Sequence, residues 1–286
     1  NLLLGFPSSS LTWICAIAAP AFADSIAAFA ICSGVLGKSG CLEAVSPEPV
    51  TAQETNTLLF INKLYLFCKR LTTSMIFNKK NKELISELKN KGILNKNILD
   101  AFMKIPRELF VNEKFFNLSY ENIPLPIDCE QTISQPYVVA FMIDCLKLKK
   151  TNKILEIGTG TGYQTALLAQ LCKQVCTIEI FSELYNKAKI NHSKLELTNI
   201  KHMFGNGIDG WKNHALFDAI IISAATESCP NKLLESLKNG GKIIFPKKYD
   251  LKTQKLILLE KINKHKYITK TLFDVRFVPL LNKKNT

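Results

Sequence analysis

Residues 154–163 read Ile154-Leu155-Glu156-Ile157-Gly158-Thr159-Gly160-Thr161-Gly162-Tyr163, and this stretch decides the fold. An apolar run that passes into a glycine-rich turn and then into a helical pattern predicts a strand, a loop and a helix. Such a turn holds a nucleotide-derived ligand at the carboxyl end of a strand. Because position 163 is Tyr, the glycines have the spacing GxGxG, which differs from the dinucleotide-binding pattern GxGxxG, and the chain has no GK[ST] sequence of a phosphate-binding loop.

The sequence around this loop alternates between helical and strand patterns. We predict strands over residues 153–157, 175–180, 217–223 and 241–245, and helices over residues 163–172, 182–195 and 230–237. A further strand is expected just before Phe204-Gly205-Asn206-Gly207. Regular alternation implies a parallel sheet with helices on both faces. The expected fold class is therefore α/β, with a Rossmann-like, doubly wound, mostly parallel sheet in residues 151–286.

A small helical cap and an irregular loop are expected in residues 75–150, ahead of the sheet. The helices are predicted over residues 82–91, from a cap at Asn95 or Asn97 to Pro106, and over residues 138–146. Residues 120–135 follow no regular pattern. Long irregular segments in compact domains tend to carry function, so this loop is a candidate site.

Residues 1–74 differ from the rest of the chain, because their four basic and four acidic side chains cancel and residues 11–36 are almost wholly apolar. A secretory signal and a membrane span are the two functional readings of the apolar run. Pro20 and Asp24 interrupt it, and no basic residue precedes it. Met75 is the first methionine, and a lysine-rich, well-patterned sequence follows. We therefore interpret residues 1–74 as an apolar leader or extension outside the working protein.

The formal net charge is +13, from 37 Lys and Arg against 24 Asp and Glu. Only Arg70, Arg107 and Arg276 are arginines. A surface that grips phosphates normally uses the planar fork of arginine, so a lysine excess favours a solvated basic face over a nucleic-acid-binding one.

The cysteines and histidines form no recognisable site. Nine cysteines are scattered without a disulfide spacing, and the closest pair, Cys172 and Cys176, does not match a CxxC motif. The four histidines include no HxxxH pair, so no metal is expected. We therefore expect reduced, mostly buried thiols and a cytoplasmic protein.

The GxGxG loop, with Glu156 before it, resembles motif I of the class I S-adenosylmethionine-dependent methyltransferases, whose cofactor has no phosphate. Glu179 lies 21 residues after Gly158, where a carboxylate can bind both ribose hydroxyls. Asn206 and Gly207 follow the third predicted strand, where this class often places a polar group against the adenine amine. The predicted cofactor is therefore S-adenosylmethionine.

The sequence after the strand predicted at residues 217–223 argues against nucleic-acid acceptors. Methyltransferases of exocyclic amines usually carry [DNS]PP[YF] there, whereas this chain has Ser223-Ala224-Ala225-Thr226. Pyrimidine C5 enzymes need a Pro-Cys nucleophile, whereas the order here is Cys229-Pro230. Both alternatives lack their defining residues.

Several separated motifs between about Met75 and Leu281 resemble those of the protein-L-isoaspartate O-methyltransferase family. The QTISQP sequence is highly specific, whereas the glycine-rich loop alone would not be. The motifs are Pro106-Arg107-Glu108-Leu109-Phe110-Val111, Pro124-Leu125-Pro126-Ile127, Gln131-Thr132-Ile133-Ser134-Gln135-Pro136-Tyr137, the loop 156–164, Phe217-Asp218-Ala219-Ile220-Ile221 and Arg276-Phe277-Val278-Pro279-Leu280.

The resemblance implies roles for particular residues. Ser134 is expected to be the active-site serine, in a loop that closes over cofactor and acceptor. The expected cofactor-binding residues are Gln131, Thr132, Ile133, Ser134, Glu156, Gly158, Thr159, Gly160, Gly162, Glu179, Asn206 and Gly207. One departure is Gly205-Asn206-Gly207, because many relatives have GDG. The Asn carbonyl can still accept a hydrogen bond from an adenine amine.

The implied reaction moves a methyl group from S-adenosylmethionine to the free carboxylate of an L-isoaspartyl residue in a damaged protein. The expected partners are isoaspartyl-containing peptides and proteins, with no nucleic acid, no membrane unless the leader is real, and a monomeric chain. Two alternatives stay open: a class I methyltransferase of RNA or a small molecule, and a binding module that keeps the fold without catalysis. The resemblance also implies an antiparallel strand near Arg276.

Overall fold

The structure, a computed structural model, describes residues 76–282, so the interpretation of residues 1–74 lies outside the described residues. A two-stranded ribbon precedes a seven-stranded sheet. The ribbon consists of β1 (Leu125–Pro126) and β2 (Thr132–Ile133). The sheet consists of β3 (Lys153–Ile157), β4 (Gln174–Glu179), β5 (Ile200–Phe204), β6 (Phe217–Ile222), β7 (Leu237–Lys248), β8 (Gln254–Asn263) and β9 (Lys266–Asp274).

The sheet is parallel over five strands and antiparallel at one edge. Its order is β5-β4-β3-β6-β7-β8-β9, in which β3 pairs in parallel with β4 and with β6, whereas β8 and β9 are antiparallel to their neighbours. The chain runs outward from β3 to β5 and then returns to β6. The carboxyl ends of β3 and β6 therefore meet at a reversal of strand order, where open α/β sheets bind ligands. The predicted α/β, mostly parallel fold is confirmed.

In addition to four short 3-10 helices, six α-helices accompany the strands in residues 76–282. They are α1 (residues 76–90), α2 (Lys96–Lys104), α3 (Pro136–Leu146), α4 (Tyr163–Ala169), α5 (Ser182–Lys194) and α6 (Asn231–Glu235). Asn95 caps α2 by accepting a hydrogen bond from the Asn97 N–H at 3.1 Å, and Pro106 follows its end. Pro136 begins α3, where a missing N–H costs nothing. One compact unit begins at Lys80, inside α1.

The strands β3, β4 and β6 are buried along nearly their whole length. Strands covered on both faces read as continuous apolar runs, which is why these three were visible in the sequence. Each fully buried aliphatic side chain stabilises the fold by roughly 1.5–3 kcal/mol. The core of the sheet includes Leu155, Ile157, Cys176, Ile178, Phe217, Ile220, Ile222 and Ile243.

Several boundaries differ from the prediction: α1 begins at residue 76 rather than 82, α3 begins at Pro136 rather than at 138, and three further differences have a visible cause. Helix α4 ends at Ala169, before residue 172, because the N–H groups of Gln170 and Leu171 bond to carbonyls three residues back and tighten the last turn. Helix α6 ends at Glu235, and β7 begins at Leu237 rather than at 241, because Leu237 already pairs with Phe217.

The two antiparallel strands were only partly foreseen. The resemblance implied one antiparallel strand near Arg276, and β9 ends at Asp274, close to that residue. Strand β8 was not predicted, although buried and partly exposed side chains alternate along it. Strand β9 lies at the edge of the sheet with mostly exposed side chains, so it lacks an apolar pattern that a sequence could reveal.

The five cysteines of the described region are free thiols. Burial raises the pKa of Cys172 and of Cys229 to about 12, so both stay protonated at neutral pH. No group of three or more His, Cys, Asp or Glu side chains among residues 76–282 is arranged to hold a metal ion. No helix in the same range is long and apolar enough to cross a membrane.

Candidate active site

A cleft of about 850 Å³, counting the part open to solvent, lies at the carboxyl ends of β3, β4 and β6. Nine of the residues predicted to bind the cofactor line it: Gln131, Thr132, Ile133, Ser134, Gly158, Thr159, Gly160, Glu179 and Gly207. The remaining three, Glu156, Gly162 and Asn206, do not line the cleft, and their contact with a cofactor stays a prediction.

The glycine-rich loop adopts a backbone that favours glycine. Gly158, Gly160 and Gly162 have φ angles of +89°, +58° and +98°. Residues with a side chain rarely adopt this left-handed region, because their Cβ atom comes too close to the following carbonyl oxygen. The loop therefore presents bare backbone to the cleft.

Glu156 lies in β3 just before the glycine-rich loop, and its carboxyl group is fully buried. It accepts hydrogen bonds from Thr165 Oγ1, from Thr177 Oγ1 at 2.7 Å and from Gln164 Nε2 at 2.9 Å. Burial raises the pKa of Glu156 to about 7, although these three donors act in the opposite direction. Glu156 thus organises α4 and β4 around the loop and does not face the cleft.

We expect Glu156→Gln to remove a pH dependence of stability. The folded pKa of about 7 lies above the ordinary value of 4.5, so the folded chain retains a proton that the unfolded chain releases. The stabilising contribution of this carboxyl is complete below about pH 4.5 and is lost as pH rises through about 7. As pH rises from about 5 to 8, the free energy of unfolding of the wild type should fall by about 2 to 3 kcal/mol relative to that of the variant. Urea unfolding of both proteins checks this, and a pH-independent difference would contradict it.

Glu179 stands at the end of β4 and lines the cleft, with 4% of its surface exposed. Its carboxylate accepts backbone hydrogen bonds from Gly160 N at 2.8 Å, Ile180 N at 2.8 Å and Phe181 N at 3.0 Å. Burial raises the pKa of Glu179, and the backbone donors oppose this shift. Glu179 therefore joins the glycine-rich loop to the strand end beside it.

Asn206 uses its amide group within the protein. Its Oδ1 accepts from Ile208 N at 3.1 Å, as a helix cap does, and its Nδ2 donates to Asn282 Oδ1 at 2.8 Å. Gly207 lines the cleft beside it, against the Ile157 side chain. A contact between Asn206 and an adenine amine stays a prediction.

Helix α5 fixes the last two carbonyls of the loop through adjacent side chains. Asn191 Nδ2 donates to Thr161 O at 3.0 Å, and His192 Nε2 lies 2.8 Å from Gly162 O and donates to it. The other ring nitrogen, Nδ1, then accepts from His202 Nε2 at 2.7 Å. Burial lowers the pKa of His192 and lowers that of His202 to about 4, so both rings are neutral at pH 7.

Arg107 fixes the loop that carries Ser134. Its guanidinium is fully buried and donates to the backbone carbonyls of Ser119, Ile123 and Ser134, the last at 3.2 Å. Burial lowers the pKa of Arg107 to about 10, so it remains charged at neutral pH. No carboxylate of residues 76–282 pairs with this charge.

A second cleft, of about 1080 Å³ including its open part, adjoins the first. One side of this cleft is formed by the end of β9 and the residues that follow it, up to Val278. The loop that carries Ser134 forms the other side. Four residues line both clefts, namely Thr132, Ser134, Ser223 and Val278. The rest of the second cleft includes Pro124, Gln135, Tyr137, Phe273, Arg276 and Phe277. The two clefts therefore meet at residues that include Ser134.

Three site residues were not assigned a role from the sequence. Gln164, Ser223 and Arg107 all stood inside quoted motifs, but their partners are distant in sequence. The position of Ser223 directly after β6 was the available signal, because functional side chains collect at the carboxyl ends of parallel strands.

Comparison with known proteins identifies the family. The family model described as Protein-L-isoaspartate(D-aspartate) O-methyltransferase (PCMT) matches residues 78–285. A protein-L-isoaspartate O-methyltransferase of Dictyoglomus turgidum is 45% identical over 70% of this chain and 90% of its own length. The Pectobacterium atrosepticum protein of the same name is 42% identical over 71% of this chain and 97% of its own length.

Solved structures that resemble this chain belong to the same family. A protein-L-isoaspartate O-methyltransferase structure matches with a TM-score of 0.66 and 28% identity over 71% of this chain and 66% of that one. A Plasmodium falciparum structure of that description, in complex with S-adenosyl-L-homocysteine, matches with a TM-score of 0.62 and 29% identity over 72% of this chain and 99% of that one. The chain therefore belongs to the protein-L-isoaspartate O-methyltransferase family.

Proposed function

We propose that this chain transfers the methyl group of S-adenosylmethionine to the free α-carboxylate of L-isoaspartyl residues in damaged proteins. The observation that carries the proposal is the junction of the two clefts at Ser134, the serine of QTISQP. A cofactor in the first cleft and a peptide in the second would meet at this residue. The similar proteins are named for the same reaction.

The first cleft suits a cofactor without phosphate. None of its lining residues in the described part of the chain is Lys or Arg, whereas phosphate sites normally use one of them. Gly158 and Gly160 offer backbone, Glu179 offers a carboxylate for ribose hydroxyls, and Phe181 and Leu184 offer apolar surface. These residues would hold S-adenosylmethionine, which supplies an electrophilic methyl group when it is bound.

The acceptor needs no general base from the protein. An α-carboxyl group has a pKa of about 3.5 and is already ionised at neutral pH. Consistent with this, neither His nor Cys lines either cleft within residues 76–282. The work of the protein is then to align the carboxylate and to exclude water, and alignment can contribute roughly 7–11 kcal/mol at most.

Ser134 orients the acceptor in this proposal. Its hydroxyl has no hydrogen-bond partner among the described residues, while its carbonyl is held by Arg107. The hydroxyl is therefore available to a ligand carboxylate. We expect Ser134→Ala to lower kcat/KM for an isoaspartyl peptide about 10- to 100-fold, the value of one hydrogen bond to a charged group. Steady-state kinetics on folded protein checks this, and unchanged turnover would reject the orienting role.

The acceptor class can be tested with three substrates. The full chain is incubated with methyl-labelled S-adenosylmethionine and an isoaspartyl peptide, the same peptide with ordinary aspartate, or RNA. Methyl esters release methanol in mild base, whereas N- and C-methyl products keep their label. We expect base-labile label on the isoaspartyl peptide alone. Base-stable label on RNA would support the alternative acceptor, and no label despite cofactor binding would support a binding module.

Other features of the working protein are part of the same proposal. We infer that it acts in the cytoplasm without a nucleic-acid partner, because the lysine-rich composition and the free thiols fit that setting. The monomeric state stays a prediction. The division into an extension over residues 1–74, a cap with the active-site loop over residues 75–150 and a cofactor-binding domain over residues 151–286 stays a prediction.

A further inference from the structure

Three residues with hydroxyl groups line both clefts, namely Thr132, Ser134 and Ser223. In the proposed reaction, the acceptor carboxylate must reach the junction of the two clefts. Ser223 differs from the other two in two respects. It directly follows a central strand, β6, and its side chain is hydrogen-bonded to Gln164, which in turn is hydrogen-bonded to the buried Glu156.

The network fixes which atom donates. Gln164 Nε2 donates one hydrogen to Glu156 Oε1 at 2.9 Å and the other to Ser223 Oγ at 2.7 Å. An amide nitrogen can only donate, so Ser223 Oγ is the acceptor in that bond. The orientation of the Gln164 amide follows from Glu156 in its ionised form, in which both carboxylate oxygens can only accept and two threonine hydroxyls also donate to them.

This arrangement leaves the hydroxyl hydrogen of Ser223 unused within the protein. Gln164 is the only described residue that bonds to Ser223 Oγ. The backbone of Ser223 is also fixed, because its N–H donates to Ile157 O at 2.9 Å. Ser223 is therefore a donor held in place before any ligand arrives, and such preorganised donors lose little freedom on binding.

We propose that Ser223 donates its hydroxyl hydrogen to one oxygen of the acceptor carboxylate and, with Ser134, orients the other oxygen toward the methyl group. Gln164 is a positioning residue that acts through Ser223. No proton is transferred, because the carboxylate is already ionised. The inference rests on the proposed function and adds a second orienting residue to it.

The test uses the full chain and two readouts. Calorimetry measures the affinity for an isoaspartyl peptide in the presence of S-adenosylhomocysteine, and steady-state assays measure kcat/KM. We expect Ser223→Ala to weaken peptide binding and kcat/KM about 30-fold, as loss of one bond to a charged group predicts. Binding of S-adenosylhomocysteine itself should change less than about twofold, which separates an orienting role from a general disturbance of the site.

Two further variants sharpen the result. Ser223→Thr restores a hydroxyl and should recover most of the loss, whereas Ser228→Ala makes the same change at an exposed position of the same loop and should have no effect. If Ser223→Ala does not fold, Ser223→Cys keeps the size with a weak donor and is judged by the same criteria. If Ser223→Ala binds the peptide as tightly as Ser228→Ala does, the inference is wrong. The proposed function still stands in that case, provided that the wild type methylates isoaspartyl peptides. A wild type that fails to methylate isoaspartyl peptides would overturn both.

Discussion

Gly162→Ala should destabilise the folded protein by about 4 kcal/mol, from two independent causes. Gly162 has φ +98°, which strains any residue with a Cβ atom. A Cβ at this position would also overlap the His192 ring, with His192 Cε1 only 2.7 Å away. The ring cannot retreat freely, because both of its nitrogens are hydrogen-bonded. Urea unfolding measures the loss, and binding of S-adenosylhomocysteine should weaken with it.

Two other glycines separate these causes. Gly92 has φ +92° but open space around it, so Gly92→Ala should show the backbone strain alone, about 1–2 kcal/mol. Gly205 has open space and no positive φ, so Gly205→Ala should be close to neutral. If Gly162→Ala is no more destabilised than Gly92→Ala, the His192 ring does not restrict the space at Gly162, and the explanation is wrong.

Glu179→Ala should weaken the binding of S-adenosylmethionine at least about 100-fold. The carboxylate is expected to accept from two ribose hydroxyls, and hydrogen bonds to a charged group contribute about 1.5–3 kcal/mol each. The same carboxylate holds Gly160 N, so its removal also loosens the loop. Calorimetry with S-adenosylhomocysteine checks the prediction.

Glu183 provides the matched control for Glu179. It lies nearby in α5, is exposed and does not line the cleft. Glu183→Ala should leave cofactor affinity within about twofold, as is usual for a surface substitution. Equal affinities for the two variants would show that Glu179 does not bind the cofactor.

The sequence could predict those features that depend on neighbouring residues. The strand, the glycine-rich turn and Glu179 lie within one short βαβ segment, so spacing alone placed Glu179 beside the loop. The strands β3 and β6 were visible because their buried runs are almost continuous.

Features that depend on long-range contacts were not predictable in the same way. Ser223 and Gln164 are 59 residues apart, and Arg107 is 27 residues from the carbonyl of Ser134 that it holds. Composition and periodicity carry no information about such pairs. The cap that Asn206 forms with Ile208 N was also not predicted, and a contact of Asn206 with a ligand stays a prediction.

The most direct measurement is the location of the transferred methyl group. A peptide with a single isoaspartyl residue is methylated by the full chain, and mass spectrometry of its fragments identifies the modified atom. We expect one added methyl group on the α-carboxyl of the isoaspartyl residue, released as methanol when the ester closes to a succinimide in mild base. A methyl group on any other atom of the peptide, or none, would contradict the account.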